Sequence, residues 1–493
     1  MIRSRRWGGV AVLAAALSLS GCASMFGGYD LAPNGLPQAE ADLRRELART
    51  PESTYEDVVE GERELPDDDL LRLLYAGAAG RYAGQYRESA QLLDVAGYVA
   101  EDRVTESVSR QALSFITSDR ALPYTPSRTE RLMIPYMSAM AFLGAGDIGG
   151  AVVEARRIEA LLDRYDEGAG PGERPPSSRF LHLLAATIFD AAGESNAATV
   201  AYRRAGLETR SAGGTGEDSL RGDVAPGGAA RVAGPDSLGE VVVVVERGFV
   251  PHRVEQTVVV ALPSVHVARL TDGSAAEKAA AAAAAAGQIL LHAAAQYGDR
   301  GLYYTDRGYR RTLHMSPWRD ECDGWNTPDW CDEDFDPYLL RISWPVLFRE
   351  PGPSDSVRVR AGDVVATPDV RLDVGADVRR DFADERPTIL ARTVFRAATK
   401  LALSETAEAA VSKKDEGAGR LVGLLVNLGT LLTERADTRS WHLLPGSVEL
   451  VRMVLPAGEH RLALEGARGR DGDLGTVTIR PGATAFVVHR IWR

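Results

Sequence analysis

Catalytic signatures are what this sequence lacks. It holds no GxxxxGK[ST] loop to cradle phosphates, no GxSxG elbow, no GxGxxG after a strand and no HExxH. The histidines at 182, 252, 266, 292, 314, 442, 460 and 489 have no metal-ligand spacing and read as structural or surface residues. These absences remove the short-motif enzyme classes, although enzymes acting on peptidoglycan work without such motifs. Cysteine is scarce, 3 in 493 residues, and none sits in CxxC. Beyond position 22 no apolar run reaches the roughly 20 residues of a membrane-spanning helix. The longest candidates are 279–286 and 421–432, and Asn427 interrupts the second. Net positive charge is also missing. Without residues 1–21 the chain carries 54 Lys+Arg against 69 Asp+Glu, a charge of −15, which does not suit nucleic acid or anionic lipid through bulk electrostatics.

The first clear presence is the N-terminus. Arg3, Arg5 and Arg6 precede a short apolar run, Trp7 to Leu19. That run is too short to cross a bilayer and reads as an export signal. Leu19, Ser20, Gly21 and Cys22 resemble a bacterial lipobox, which implies cleavage before Cys22 and lipidation of its sulfur. One acyl chain gives only marginal membrane binding. Lipoproteins of this kind carry two or three, palmitate-type chains among them, so residence is expected to be stable. Ala23 follows Cys22 where an inner-membrane retention signal has Asp. The implied location is the Gram-negative outer membrane, with the body facing the periplasm. In that oxidising compartment Cys322 and Cys331 form an even pair. A disulfide closing their short loop would stabilise by roughly 2–3 kcal/mol in the chain-entropy model.

The composition, 45% hydrophobic and 26% charged, is that of a globular chain, and the length suits two to four domains. Residues 22–65 read as a membrane tether. Residues 66–210 have helical periodicity. Three stretches there look alike: GQYRESAQLLDVA (84–96), GDIGGAVVEARRI (146–158) and GESNAATVAYRRA (193–205). Each opens on Gly. Small residues follow at Ser89, Ala151 and Ala198, then Leu93, Ala155 and Tyr202, and last Ala96, Ile158 and Ala205. The spacing resembles the turn and second helix of tetratricopeptide (TPR) repeats, with small first-helix residues at Ala76 and Gly77, Ser138 and Ala139, and Ala185 and Ala186. The period departs from that family's, so extra helix, including 105–118, is expected. The reading is a TPR-like, α-solenoid layer, or else a generic bundle. Stacked helix pairs of this kind leave a concave face for another chain.

Residues 211–238 are rich in Gly, Ser, Asp and Ala and read as a flexible linker. Residues 239–493 change character. Val241–Val245 and Val258–Ala261 are β-branched runs. Segments 337–348, 357–362 and 370–374 also read as strands, 376–414 and 419–435 as helices, and the end is strand-rich. The expected fold class is multidomain α and α+β, closing in a β-sandwich-like sheet, with a helical and acidic-loop insertion around 268–336. Between Asp320 and Asp336 lie eight carboxylates. They would suit calcium only weakly, because EF-hand spacing is absent; a solvated acidic loop is the plainer reading, and no cofactor is expected.

Five motifs carry a resemblance: SDRALPY (118–124), ERGFVPHR (246–253), ARTVFRAATK (391–400), ADTRSWHLLP (436–445) and LPAGEH (455–460). Together with the lipobox they resemble a family of uncharacterised Gram-negative envelope lipoproteins that join TPR-like helices to a C-terminal α+β domain. That resemblance implies no established reaction. Two functions follow as expectations. One is a non-enzymatic scaffold that binds an envelope protein through its helices, in an assembly or export process. The other is a glycan-binding or glycan-active site in which Asp437, Arg439 and Trp441 line a sugar cleft. One carboxylate is too few for the usual two-carboxylate glycosidase. The same three residues equally suit a structural corner between a helix and the terminal strands.

Overall fold

A computed structural model describes residues 38–63, 65–110, 122–167, 177–206, 237–262, 303–304, 338–348, 355–412, 435–465 and 472–492. Eight helices come first: α1 (Gln38–Leu47), α2 (Pro51–Val59), α3 (Asp69–Tyr82), α4 (Tyr86–Arg110), α5 (Arg128–Gly144), α6 (Ile148–Glu167), α7 (Ser177–Ala191) and α8 (Ser195–Arg204). The hairpins α3–α4, α5–α6 and α7–α8 turn on Gly84, Gly146 and Gly193, the three glycines that open the look-alike stretches. Their φ values are +78°, +74° and +76°, which L side chains rarely adopt. Each turn also has the same two bonds. At the second, the Gly146 N–H donates to the Leu143 carbonyl and the Asp147 N–H to that of Phe142, the Schellman pattern.

Close helix contact follows from the small residues. A Cβ on Gly77 would lie 2.7 Å from Leu93 Cγ, and the Ser89 hydroxyl donates to the Gly77 carbonyl at 2.7 Å. All nine positions that the look-alike stretches share, from Ser89 to Ala205, are buried. The long α4 takes up the start of the expected extra helix; positions 111–118 lie outside the described residues.

The second half is α+β. Strand β1 (Leu238–Arg247) is central in a sheet with β11 (Thr484–Ile491), β8 (Ser447–Pro456) and β7 (Val370–Leu372), ordered β11–β1–β8–β7. It runs antiparallel to β8 and parallel to β11. A second sheet holds β10 (Gly472–Ile479), β9 (Gly458–Glu465), β5 (Arg358–Ala361) and β6 (Val364–Ala366) in that order. A third joins β2 (His252–Leu262) and β4 (Tyr338–Phe348) to the short β3 (Tyr303–Tyr304). Helix α9 (Val374–Ser412) completes the described elements.

The valine run has a specific explanation. Val241, Val243 and Val245 enter a core shared with β5, β8, β9 and β10. Val242 and Val244 enter a different core, shared with the helices. A strand covered on both faces shows a continuous apolar run instead of alternation.

Two expectations change here. Residues 38–59 are not part of a tether: α1 and α2 dock on the body, with Leu43, Leu47 and Val58 inside the helical core. Leu43 and Leu47 stand four apart, one turn along a single helix face. Nor do the helical half and the α+β half have separate interiors. One core runs from Leu43 through the hairpins to Val242, Trp441 and Leu450.

The first helices pack on the β1 sheet, and α5 is buried almost without break from Thr129 to Ala141; of the second helices, α8 also reaches that sheet, with its Tyr202 ring under Arg452 of β8 at 5.7 Å. Across that boundary Arg81 Nη2 donates to Glu246 Oε2 at 2.5 Å and the Tyr136 hydroxyl to Oε1 at 2.7 Å. Arg490 sits over the rings of Tyr82, Phe249 and Trp492 at 5.0–5.3 Å, a cation–π cluster joining α3 to the chain end. Helix α9 closes the edge, where Asp381 accepts the Thr129 N–H at the start of α5 at 2.6 Å.

Candidate functional site

Asp437, Arg439 and Trp441 do come together, in an extended corner running into β8. Arg439 Nε and Nη2 grip Asp437 at 2.8 and 2.7 Å, a two-pronged pair inside one turn. Nη2 also donates to the Leu122 carbonyl at 2.9 Å. Behind them Asp68 caps α3, accepting the N–H groups of Leu70 and Leu71. It takes Arg103 at 2.8 Å and the Tyr124 N–H at 3.0 Å as well. Burial works against its ionisation, but these donors outweigh burial and hold its pKa below the usual value.

Trp441 is 1% exposed. Its backbone N–H donates to Glu130 at 2.7 Å, and Glu130 also closes a capping box with Ser127 at the start of α5. The indole N–H has no acceptor among the described residues. Next to it, His442 accepts Arg44 Nε on Nδ1 at 3.1 Å and faces Glu40 across 3.0 Å. Burial, then Arg44, lowers the His442 pKa. Burial opposes Glu40 ionisation, yet His442, His252 and Arg44 bring its pKa down. Tyr75 and Tyr82 donate to the carbonyls of Ser440 and Leu443.

The corner also seats the β1–β2 turn. Gly446 approaches Phe249 so closely that a Cβ would fall 2.6 Å from the Phe249 carbonyl oxygen. Three of the five quoted motifs therefore meet here: the end of SDRALPY, ERGFVPHR and ADTRSWHLLP. The one acid–base pair at the corner among the described residues, His442 with Glu40, has its imidazole buried, and the buried Trp441 ring offers no face to a sugar. It locks α1, α3, α4 and α5 to the β-rich half.

A concave feature lies elsewhere. A groove of about 320 Å³ runs between α4 and α6, with α5 as its floor. Ile134, Pro135, Ala100 and Leu161 are its apolar lining, and Tyr98 stands at its edge, 66% exposed. Gly97 leaves space because it has no side chain; a Cβ there would meet only Ile134, at 3.7 Å. Arg157 pairs with Asp94 at 2.5 Å and Glu154 at 3.0 Å, and Arg164 with Glu101 at 2.9 Å. Glu154 is 2% exposed, and burial, only partly offset by Arg157, raises its pKa to about 7. Arg131 has no carboxylate partner among the described residues. It lies over the Tyr165 ring at 5.2 Å, and its Nε is buried without an acceptor.

Cys22, Cys322, Cys331 and the acidic stretch 320–336 lie outside the described residues, as do all but the last residue of the helix expected at 419–435 and most of the 268–336 insertion. Among the described residues no group of acidic, His or Cys side chains is arranged to hold a metal ion, and no helix is long and apolar enough to cross a membrane. Sequence reasoning missed Glu130, Asp68 and His442 as partners of the corner. The Ser127-x-x-Glu130 capping pattern was readable; the long-range pairings had no local sign. The chain matches no family model, no curated protein and no solved structure.

Proposed function

We propose that this protein is a lipid-anchored scaffold of the Gram-negative outer membrane, held through Cys22 and facing the periplasm, that binds an envelope protein without catalysing a reaction. The lipobox-like LSGC and the following Ala23 support the anchor and its location. The shared hairpin turns and the nine buried repeat positions support a TPR-like reading of the helical layer. The core common to the β1 and β9 sheets supports a sandwich-like one for the C-terminal half. Membership of the envelope-lipoprotein family rests on the five motifs, three of which meet at the corner.

The observation that carries the reading is how the helical layer divides its faces. The first helices are covered by the protein's own β1 sheet, where a concave repeat surface would otherwise take a partner. The second helices face outward, and their groove carries the exposed Val95, Tyr98 and Val153 on its two flanking helices. A photo-crosslinking residue at position 98 of the full chain, activated in intact cells, tests this. Covalent adducts with an envelope protein are expected at position 98 and not at Val365, an exposed position on the far sheet. A yield at 98 no higher than at 365 would overturn the reading. The glycan alternative keeps no support at Asp437–Trp441, because Trp441 is enclosed.

A further inference from the structure

Five of the six charged groups lining the α4–α6 groove are engaged with one another. Arg157 holds Asp94 and Glu154, and Arg164 holds Glu101. Arg131 alone has no carboxylate among the described residues. It stands at the end of an apolar floor made by Ile134, Pro135 and Leu161. Pro135 lies inside α5 and has no N–H, so the Arg131 carbonyl lacks the donor it would normally meet one turn on. At one place, then, the groove presents an apolar slot, a guanidinium without a carboxylate among the described residues and a backbone acceptor. A ligand complementary to all three carries an apolar side chain, a carboxylate and an amide N–H on neighbouring atoms.

We infer that the groove receives the C-terminal residue of a partner polypeptide, its apolar side chain entering the slot, its α-carboxylate pairing with Arg131 and its amide donating to the Arg131 carbonyl. A polypeptide is favoured over a free carboxylic acid because the apolar surface continues past the slot. Val95 and Tyr98 on α4 and Val153 on α6 are 46–66% exposed, where preceding residues of a chain would lie. Capture of a chain terminus is a recurring mode of peptide recognition, and a guanidinium is well matched to a carboxylate. The inference rests on the scaffold reading and deepens it.

The test is calorimetric titration of the full chain in detergent with acetyl-alanyl-alanyl-leucine, its C-terminal amide and acetyl-leucine. The tripeptide acid is expected to bind about tenfold or more tighter than the amide and tighter than acetyl-leucine. Arg131→Gln should erase the acid–amide difference. Gly97→Leu, which fills the slot from α4, should abolish binding while thermal unfolding stays cooperative. Because the two variants act from different helices, one serves if the other fails to fold. Absence of saturable binding, equal binding of acid and amide, or indifference to Arg131→Gln would each overturn the inference. So would acetyl-leucine binding as tightly as the tripeptide. If adducts form at position 98 while the tripeptide does not bind, the inference falls and the scaffold reading stands.

Discussion

Glu246 has no exposed side-chain surface, and its two oxygens are taken by Arg81 and Tyr136 from two different helices. A buried ion pair is weak evidence of net stability, but breaking one strands a charge. Glu246→Ala would leave the Arg81 guanidinium uncompensated between helices and sheet. We expect a loss of about 3–5 kcal/mol, read as a lower urea midpoint, with the helices and the sheet unfolding together. Gly446 is a second sensitive position for a different reason. Its neighbour is the Phe249 backbone, which cannot rotate aside as a side chain can. Gly446→Ala should cost about 1–3 kcal/mol, and the same urea titration measures it. A change at the exposed Val365 should cost little.

Among the elements, α6 carries a pH signature. Folding raises the Glu154 pKa from 4.5 to about 7. Between those values the native state binds the proton more tightly than the unfolded chain, so stability is complete below 4.5 and declines as pH rises to 7. Asp377 in α9, raised from 3.8 to about 6, acts in the same direction over its own range. Glu154→Gln should remove part of the decline. The variant is expected to gain about 1–3 kcal/mol on the wild type at pH 8, with no gain near pH 4.5, measured by thermal unfolding across that range. His442 acts oppositely. Its lowered pKa keeps the buried ring neutral, so its contribution is present above the unfolded value of 6.5 and is lost as pH falls below it. That loss should appear first where α1 meets the corner through Arg44 and Glu40, as faster amide exchange in α1 at pH 5 than at pH 7. Equal exchange at the two values, after correction for intrinsic rates, would contradict it.

For the whole molecule the governing fact is the shared interior. The helices bury their first-helix faces on the β1 sheet, and β1 buries its other face on the second sheet. A chain cut to residues 66–210 would expose that face. It is expected to bind a hydrophobic dye and to be digested far faster than the full protein, whereas a protease-resistant fragment would show that the layer folds alone. The same arrangement explains which parts of the fold were legible beforehand. Gly84, Gly146 and Gly193 announced hairpin turns because backbone chirality restricts that conformation locally. The valines of β1 announced a buried strand for a similar reason. The α1–α2 pair was misread as tether because two short helices ahead of the hairpins carry no sign that Arg44 has a partner 398 positions away or that Leu43 and Leu47 join the shared core.

The sequence by itself determined the helix-then-strand order, the three glycine turns and the identity of the main strands, and it carries the lipobox-like LSGC on which the proposed anchor rests. These follow from chemistry between residues close along the chain. Only the tertiary structure decided that the helical layer's inner face is covered by the protein's own β1 sheet, that Trp441 is enclosed at the Asp437–Trp441 corner, and that Arg131 is left without a carboxylate among the described residues. Each depends on pairs such as Arg44 with His442 or Arg81 with Glu246, 398 and 165 positions apart. No local propensity encodes such a pair; folding selects it by burying both polar groups together.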